Sequence, residues 1–263
     1  MSQSSDQTLT AARFLLGHVQ AQTRCDCLPT MCRPTTRTEG YAIQALWEEQ
    51  SAELLSGWKI AATSIAGQKH IGVDGPLAGR YIAERTVQAG ATLPFGNNHM
   101  KVAEVEFAFK LSKDLWPRAD IYSEDEVFAA VASLHPAIEI PDSRYHHFEQ
   151  VGAAQLIADN ACASWLVIGQ AAPDIWREID LATFRPIGHV SDNSPVFGQG
   201  SNVLGSPRIA MTWLINELSS LGIIARQGQI VTTGTCVVPM PIRAGDEVFG
   251  NFGELGQVSV KLI

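Results

Sequence analysis

The chain has 263 residues, of which 46% are hydrophobic, so it is long enough to bury a sizeable core within one domain. Its formal net charge of −8 excludes a cationic surface that would gather nucleic acid or anionic lipid by long-range attraction. We therefore expect no nucleic-acid partner and no membrane partner.

The N-terminal segment is polar before it becomes amphipathic, and it lacks the basic start and unbroken apolar stretch of a signal peptide. No window approaches the roughly twenty apolar residues that a membrane-spanning helix needs. The sequence therefore predicts a cytoplasmic protein.

Three of the five cysteines crowd into CDCLPTMC, as Cys25, Cys27 and Cys32. A zinc site here would need a fourth ligand, and Cys-x-Cys is tighter than the spacing of common zinc knuckles. We interpret the cysteines as reduced thiols.

Two helices are predicted before Gly57. Residues 8–22 carry apolar side chains at helical spacing, and a second helix is expected from near Thr38 to about Leu55. We assign residues 1–56 to an N-terminal helical elaboration.

After Gly57 the chain breaks into short apolar runs separated by Gly and Pro, which predict strands and turns. These runs are GWKIAATS, HIGVDGPLAG, VAEVEFAFKL and PAIEIP, and the C-terminal tail has the same texture. Further helices are predicted at 152–168 and 206–221, the second capped by Ser206 and closed by Gly222. Regular βαβ alternation is absent, so we expect an α+β fold with a mostly antiparallel or barrel-like sheet over residues 57–263, the whole chain forming one structural unit.

Two glutamates share one face of the strand predicted in VAEVEFAFKL. Its apolar residues alternate, which leaves Glu104 and Glu106 on the opposite face with Cα atoms about 7 Å apart. An isolated Glu-x-Glu is typical of a solvent-facing strand surface. Glu139 favours a binding site over a solvent-facing surface, because it stands between isoleucines in PAIEIP, where a carboxylate is costly to bury unless it is paired or binds a cation. Three carboxylates without His or Cys would suit Mg²⁺ or Mn²⁺ rather than zinc.

Lys59 lies between Trp58 and Ile60 in a predicted strand. It is either a surface residue with an extended stem or a desolvated amine whose pKa is lowered for proton transfer. Asp74, which precedes Gly75 and Pro76, is consistent with simple turn chemistry.

The ordered series GWKIAATS, GVDGPLAG, AEVEFAF, AIEIPDSR, ADNACAS, LGSPRIAMTWL, VTTGT and AGDEVFGNFGELGQVSVKL resembles the 2-keto-4-pentenoate hydratase group of the fumarylacetoacetate hydrolase superfamily. The resemblance runs in collinear order from about Tyr41 to the C-terminus. It implies a mixed β-barrel or β-roll core and a homo-oligomer, associated in some cases with a related pathway enzyme.

The resemblance also implies a site. Glu104, Glu106 and Glu139 align with the ligands of a divalent metal, Mg²⁺ or Mn²⁺, and Lys59 and Asp74 align with residues near the substrate. The implied reaction adds water to a small-molecule 2-hydroxydienoate, giving a 4-hydroxy-2-oxo acid in the catabolism of aromatic compounds. Small residues at Ala61, Ala62 and Ala78 would leave room for a substrate bulkier than pentadienoate.

Other functions stay open at this point, with oxaloacetate-type decarboxylation or keto-enol tautomerisation as minor options. A 2-oxo-3-hexenedioate decarboxylase would need a basic residue for a second substrate carboxylate, and Arg144, Arg185 and Arg208 are candidates. A catalytically silent partner subunit would keep the fold alone. The amides at the helix start near Ser206 are a further candidate for binding a substrate carboxylate.

Overall fold

The computed structural model describes residues 3–263. Within that range the α-helices are α1 (Gln3–Ala21), α2 (Arg37–Ala45), α3 (Ile65–His70), α4 (Glu124–Phe128), α5 (Ala153–Ala158) and α6 (Pro207–Ser220). The strands are β1 (Gly57–Ala61), β2 (Leu77–Tyr81), β3 (Thr86–Gln88), β4 (Ala91–Leu93), β5 (Val102–Leu111), β6 (Val131–Ile140), β7 (Trp165–Ile168), β8 (Ile187–Val190), β9 (Val196–Phe197), β10 (Ile230–Thr235), β11 (Met240–Pro241), β12 (Glu247–Asn251) and β13 (Gln257–Leu262).

The strands form two mixed sheets. The larger has the order β2-β1-β10-β5-β6-β7-β3, with β11 also pairing with β5, and the smaller has the order β4-β13-β12-β8-β9. Most pairs are antiparallel, but β1 with β10, β3 with β7 and β4 with β13 are parallel. The α+β class with a mixed β core is therefore confirmed.

The two faces of β5 lie in different environments. On one face, Val105 and Phe107 are completely buried, and the ring of Phe107 lies edge-on to Phe252 with 5.0 Å between ring centroids. The smaller sheet approaches this face closely, since a Cβ on Gly250 would lie 3.2 Å from a methyl of Val105. The core between the sheets thus fixes β5 and directs the opposite face, with Glu104 and Glu106, away from it.

The N-terminal helices and the loop between them contribute Leu15, Leu28 and Trp47 to a second, smaller apolar cluster, which also includes Tyr145 and Ala158. Helix α2 lies so close to α5 that a Cβ on Gly40 would come within 2.5 Å of the carbonyl oxygen of Ala154. The assignment of residues 1–56 as an elaboration of a core over 57–263 stays a prediction, and its first two residues lie outside the described range.

The helix predicted over 152–168 is wrong. Helix α5 ends at Ala158, and the strand β7 follows. Asn160, Ala161 and Cys162 have φ angles of 56°, 49° and 61°, a left-handed run that no α-helix can continue through. The aromatic and β-branched residues after it then favour a strand.

Two other predictions are corrected in extent. The second helix begins near Thr38 as predicted, because Thr36 and Glu39 form a capping box, but it ends at Ala45 and not near Leu55. A 3₁₀ segment follows, in which the indole of Trp47 donates to the carbonyl of Ala158. Helix α3 was not predicted, and it occupies the region in which the sequence indicated strands and turns.

The predicted helix at 206–221 is confirmed. The hydroxyl of Ser206 accepts a hydrogen bond from the backbone N–H of Arg208, Pro207 occupies the first helical position, and Gly222 closes the end with a φ of 72°. No helix in residues 3–263 has the length and hydropathy required to cross a bilayer.

Ser206→Ala should lower the free energy of unfolding by about 1 kcal/mol, because one backbone donor at the start of α6 loses its acceptor. Ser206→Gly should cost only a few tenths of a kcal/mol. Urea denaturation of the three proteins measures the difference, and equal stability of Ser206→Ala and the wild type would contradict the capping role.

Candidate metal centre and adjoining cavity

Three carboxylates meet on one face of the larger sheet. Glu104 and Glu106 are two residues apart on β5, and Glu139 on β6 is the direct partner of Glu104 across the antiparallel pair. Directly paired residues present their side chains on the same face. One oxygen from each carboxylate therefore lies within 4.8 Å of the other two. In residues 3–263 no other group of three or more His, Cys, Asp or Glu side chains converges in this way, so the CDCLPTMC thiols form no such site.

Lys59 reaches the same place from β1, which is separated from β5 by β10. Its Nζ lies 2.8 Å from Oε1 of Glu139, and both side chains are buried, with 4% and 0% exposure. The stem of the lysine packs on Gly79, where an added Cβ would lie 2.9 Å from Cγ of Lys59. The surface alternative for Lys59 is therefore wrong, and the ammonium belongs to the carboxylate cluster.

A bulge in β10 adds a backbone donor that sequence reasoning missed. The pairing of β10 with β5 shifts register between Thr232 and Thr235, and there the N–H of Gly234 donates to Oε2 of Glu106 at 2.7 Å. Gly234 has a φ of 95°, and an added Cβ would lie 2.1 Å from Oγ1 of Thr63. Only glycine fits this position, and the run of small polar residues in VTTGT was the available signal.

Tyr81 is a second missed residue. Its phenol is fully buried on β2, and its oxygen lies 3.2 Å from the hydroxyl of Thr232 on β10. Burial and the nearby charges of Glu139 and Glu106 raise the pKa of Tyr81 above its usual range. The phenol therefore stays neutral beside the carboxylates.

Burial and mutual repulsion raise the pKa values of the three carboxylates. Burial, followed by repulsion from Glu139, raises the pKa of Glu104 to about 7, although Lys59 opposes the shift. Burial and the charges of Glu139 and Glu104 raise the pKa of Glu106 well above its usual range. Burial likewise raises the pKa of Glu139, against the favourable effect of Lys59. One ammonium is thus not enough to compensate three carboxylates in this environment.

The pKa of Lys59 is raised, whereas one of the two sequence-based expectations was a lowered pKa. Burial alone would lower the pKa of its ammonium, but the charges of Glu139, Glu104 and Glu106 outweigh burial and raise it. In this arrangement the amine is held in its protonated form.

The cluster fits a hard divalent cation. Oε1 of Glu106 and Oε2 of Glu139 are buried without a hydrogen-bond partner, which is costly for carboxylates unless a cation is supplied. All three ligands are oxygens, the donors that Mg²⁺, Mn²⁺ and Ca²⁺ prefer. No two of these oxygens are more than 4.8 Å apart, which is within twice a metal–oxygen distance of up to about 2.6 Å.

A cavity of about 970 Å³ adjoins the cluster. Lys59 and Glu104 contribute to its wall, and much of the remainder comes from α3, from residues 201–205 and from residues 234–239. Ala61 and Ala62 line it as expected, whereas Ala78 does not, being completely buried in the core.

Two predicted site residues lie elsewhere. The side chain of Asp74 is 92% exposed, lies 3.9 Å from Arg37 and is not part of the cavity wall. Ser206 is occupied as the cap of α6, while its neighbour Gly205 lines the cavity. Roles for Asp74 and Ser206 in binding or catalysis stay predictions.

Comparison with known proteins gives relatives that span nearly the whole chain. The chain is 30% identical to the 2-keto-4-pentenoate hydratase of Burkholderia vietnamiensis, over 97% of each protein. It is 27% identical to the 2-oxo-hept-4-ene-1,7-dioate hydratase of Escherichia coli, over 87% of each. None of the protein-family models matches the chain.

The fold is shared with a solved structure. The 4-oxalocrotonate decarboxylase from Pseudomonas putida G7, complexed with magnesium and adipate, superposes with a TM-score of 0.87 over 98% of each chain. The two sequences are 24% identical, and the likeness shows a common architecture.

Proton competition should make metal binding depend on pH. Because the pKa of Glu104 is raised to about 7 in the ion-free protein, its proton must leave before the carboxylate can bind a cation. The affinity for Mn²⁺ should therefore fall by at least about tenfold between pH 8 and pH 6. Titration calorimetry at the two pH values measures the change, and equal affinities would show that these carboxyls are not the ligands.

Proposed function

We propose that this chain, which belongs to the 2-keto-4-pentenoate hydratase family, adds water to a 2-hydroxydienoate and so forms a 4-hydroxy-2-oxo acid in aromatic-compound catabolism. Glu104, Glu106 and Glu139 would hold the divalent metal on which the reaction depends, either Mg²⁺ or Mn²⁺. The observation that carries the proposal is the convergence of these carboxylates beside the ammonium of Lys59, at the wall of the cavity.

The metal, when bound, supplies a Lewis acid that stabilises negative charge on the 2-oxygen of the substrate. The glutamates would fix its place, since Glu104 and Glu139 are direct partners across β5 and β6 and Glu106 accepts a hydrogen bond from the N–H of Gly234. This preorganisation means that little rearrangement is needed as charge develops.

Lys59 would manage the proton transfers. Its ammonium, held by Glu139, would deliver a proton to the far carbon of the dienol and regain one from the enol hydroxyl, which gives a conjugated enone. Water would then add across the double bond, its hydroxyl bonding to the carbon β to the ketone and its proton passing to the α-carbon. Much of the cavity wall around these steps is apolar.

Decarboxylation of a 2-oxo-3-hexenedioate is a second candidate, favoured by the fold shared with 4-oxalocrotonate decarboxylase. None of the arginines considered for a second carboxylate lines the cavity. Arg144 is buried against Asp159, Arg208 is paired with Glu124, and Arg185 is exposed. The hydratase therefore has the stronger support.

A silent partner subunit has less support, because the glutamates and Lys59 are assembled together. Assembly as a homo-oligomer, association with a related pathway enzyme and a cytoplasmic location stay predictions.

Glu104→Gln should abolish metal-supported turnover, because one of the negative charges that would bind the metal is lost. The fold should stay intact, because the side chain is only half-buried. Following the dienol absorbance with added Mg²⁺ measures activity, and circular dichroism checks the fold. Glu254→Gln, at an exposed glutamate outside the cavity, is the matched control. Full activity of the wild type after metal depletion would contradict the proposal.

Lys59→Met should lower kcat by about 10²–10⁴-fold, the usual contribution of a positioned acid or base, while Mn²⁺ still binds. Lys113→Met, at an exposed position away from the cavity, should leave kcat unchanged. Steady-state kinetics and Mn²⁺ titration separate the two effects. Unchanged kcat in Lys59→Met would remove Lys59 from the mechanism.

A further inference from the structure

We infer that the natural substrate is a monocarboxylic 2-hydroxydienoate that carries a bulky, uncharged apolar group at the end remote from its carboxylate. This inference rests on the proposed function and adds the chemistry of the substrate tail. The size, lining and charge of the cavity support it.

The cavity is far larger than the parent pentadienoate requires. Its volume of about 970 Å³ is at the top of the range of about 300–1,000 Å³ found for pockets that enclose drug-sized ligands. Small side chains at Ala61, Ala62 and Ala66 keep the space open beside Lys59 and along α3. A short acid would leave much of this wall in contact with water.

The wall beyond the glutamates is mainly hydrophobic. Apolar side chains come from several separate segments and face the same space, among them Ile65, Ile71, Met100, Phe148, Leu156 and Val238. Ile65 and Val238 are also 67% and 73% exposed to solvent, so the apolar surface extends to the mouth. Exposed apolar side chains lining a cavity are expected where an apolar ligand covers them.

Among the described residues that line the cavity, no lysine or arginine is free to bind a second carboxylate. Lys59 is engaged with Glu139, and none of the wall residues is an arginine. The imidazole of His70 is the remaining group that could carry a positive charge, and it stands edge-on to Phe148 with 6.1 Å between ring centroids.

The neutral polar groups of the wall are partly occupied as well. The side-chain amide of Gln68 donates to the carbonyl of Ala62, and that of Asn202 donates to the carbonyl of Cys236. Apart from His70, the described residues of the wall therefore offer a carboxylate on the substrate tail no ionic partner in exchange for the water that it would lose, which is unfavourable.

A comparison of three substrates under saturating Mg²⁺ tests the inference. They are 2-hydroxypentadienoate, its analogue with a phenyl group on the terminal carbon, and its analogue with a carboxylate on that carbon. We expect kcat/KM for the phenyl acid to equal or exceed that of the parent and to be at least about a hundredfold above that of the diacid.

The outcomes separate the two proposals. If the parent acid reacts and kcat/KM for the diacid lies within about tenfold of that for the phenyl acid, the inference is overturned and the hydratase stays intact. If the parent acid reacts and the phenyl acid reacts more than about tenfold more slowly than the parent, the inference is again overturned and the hydratase stays intact. Turnover of none of the three acids would overturn the hydratase itself, and the inference with it.

A charge placed at the mouth gives a second test. Val238→Arg introduces a guanidinium on the cavity wall at an exposed position, so folding is not at risk. It should raise the ratio of kcat/KM for the diacid over the phenyl acid by at least about tenfold. Ile121→Arg, at an 81% exposed isoleucine outside the cavity, should leave the ratio unchanged. Equal ratios in the two variants would show that the tail does not reach this wall.

Discussion

Glu104 and Glu139 are direct partners across two antiparallel strands, so their carboxylates must lie on the same face of the sheet. Glu106 follows on that face because strand side chains repeat with a period of two. Like charges that face each other across strands destabilise a sheet, and burial makes the repulsion worse. The fold therefore holds a concentration of negative charge that one ammonium offsets only in part, and we propose that the affinity for a cation originates in this arrangement.

The surrounding structure maintains that arrangement. The opposite face of β5 is anchored by Val105 and Phe107 against the smaller sheet, which prevents the strand from turning its glutamates outward. Gly79 and Gly234 let Lys59 and a backbone N–H approach where any side chain would collide. The position of the cluster thus depends on the packing of β5 against the smaller sheet and on the lack of side chains at Gly79 and Gly234.

Sequence reasoning recovered the parts of the site that depend on local periodicity. It placed Glu104 and Glu106 on one face, and it identified Glu139 because an acid between isoleucines is anomalous. It could not derive that Glu139 pairs with Glu104, since register between β5 and β6 depends on the intervening chain and its α4 helix. The resemblance to a known family supplied that convergence and the predicted role of Lys59, whereas the bulge at Gly234 and the phenol of Tyr81 became visible only in the structure. The role of Asp74 also came from the resemblance alone and stays a prediction, since α3 and the turn after it place its carboxylate in solvent beside Arg37.

The most direct test of the account is the anomalous diffraction of Mn²⁺ in a crystal of the protein soaked with Mn²⁺ and oxalate, which mimics the carboxylate and 2-oxygen of an α-keto acid. The account predicts one strong Mn²⁺ peak between the carboxylates of Glu104, Glu106 and Glu139, with oxalate completing its coordination on the side that faces the cavity. A crystal in which these three side chains bind no ion, while Mn²⁺ occupies another place or none, would contradict it.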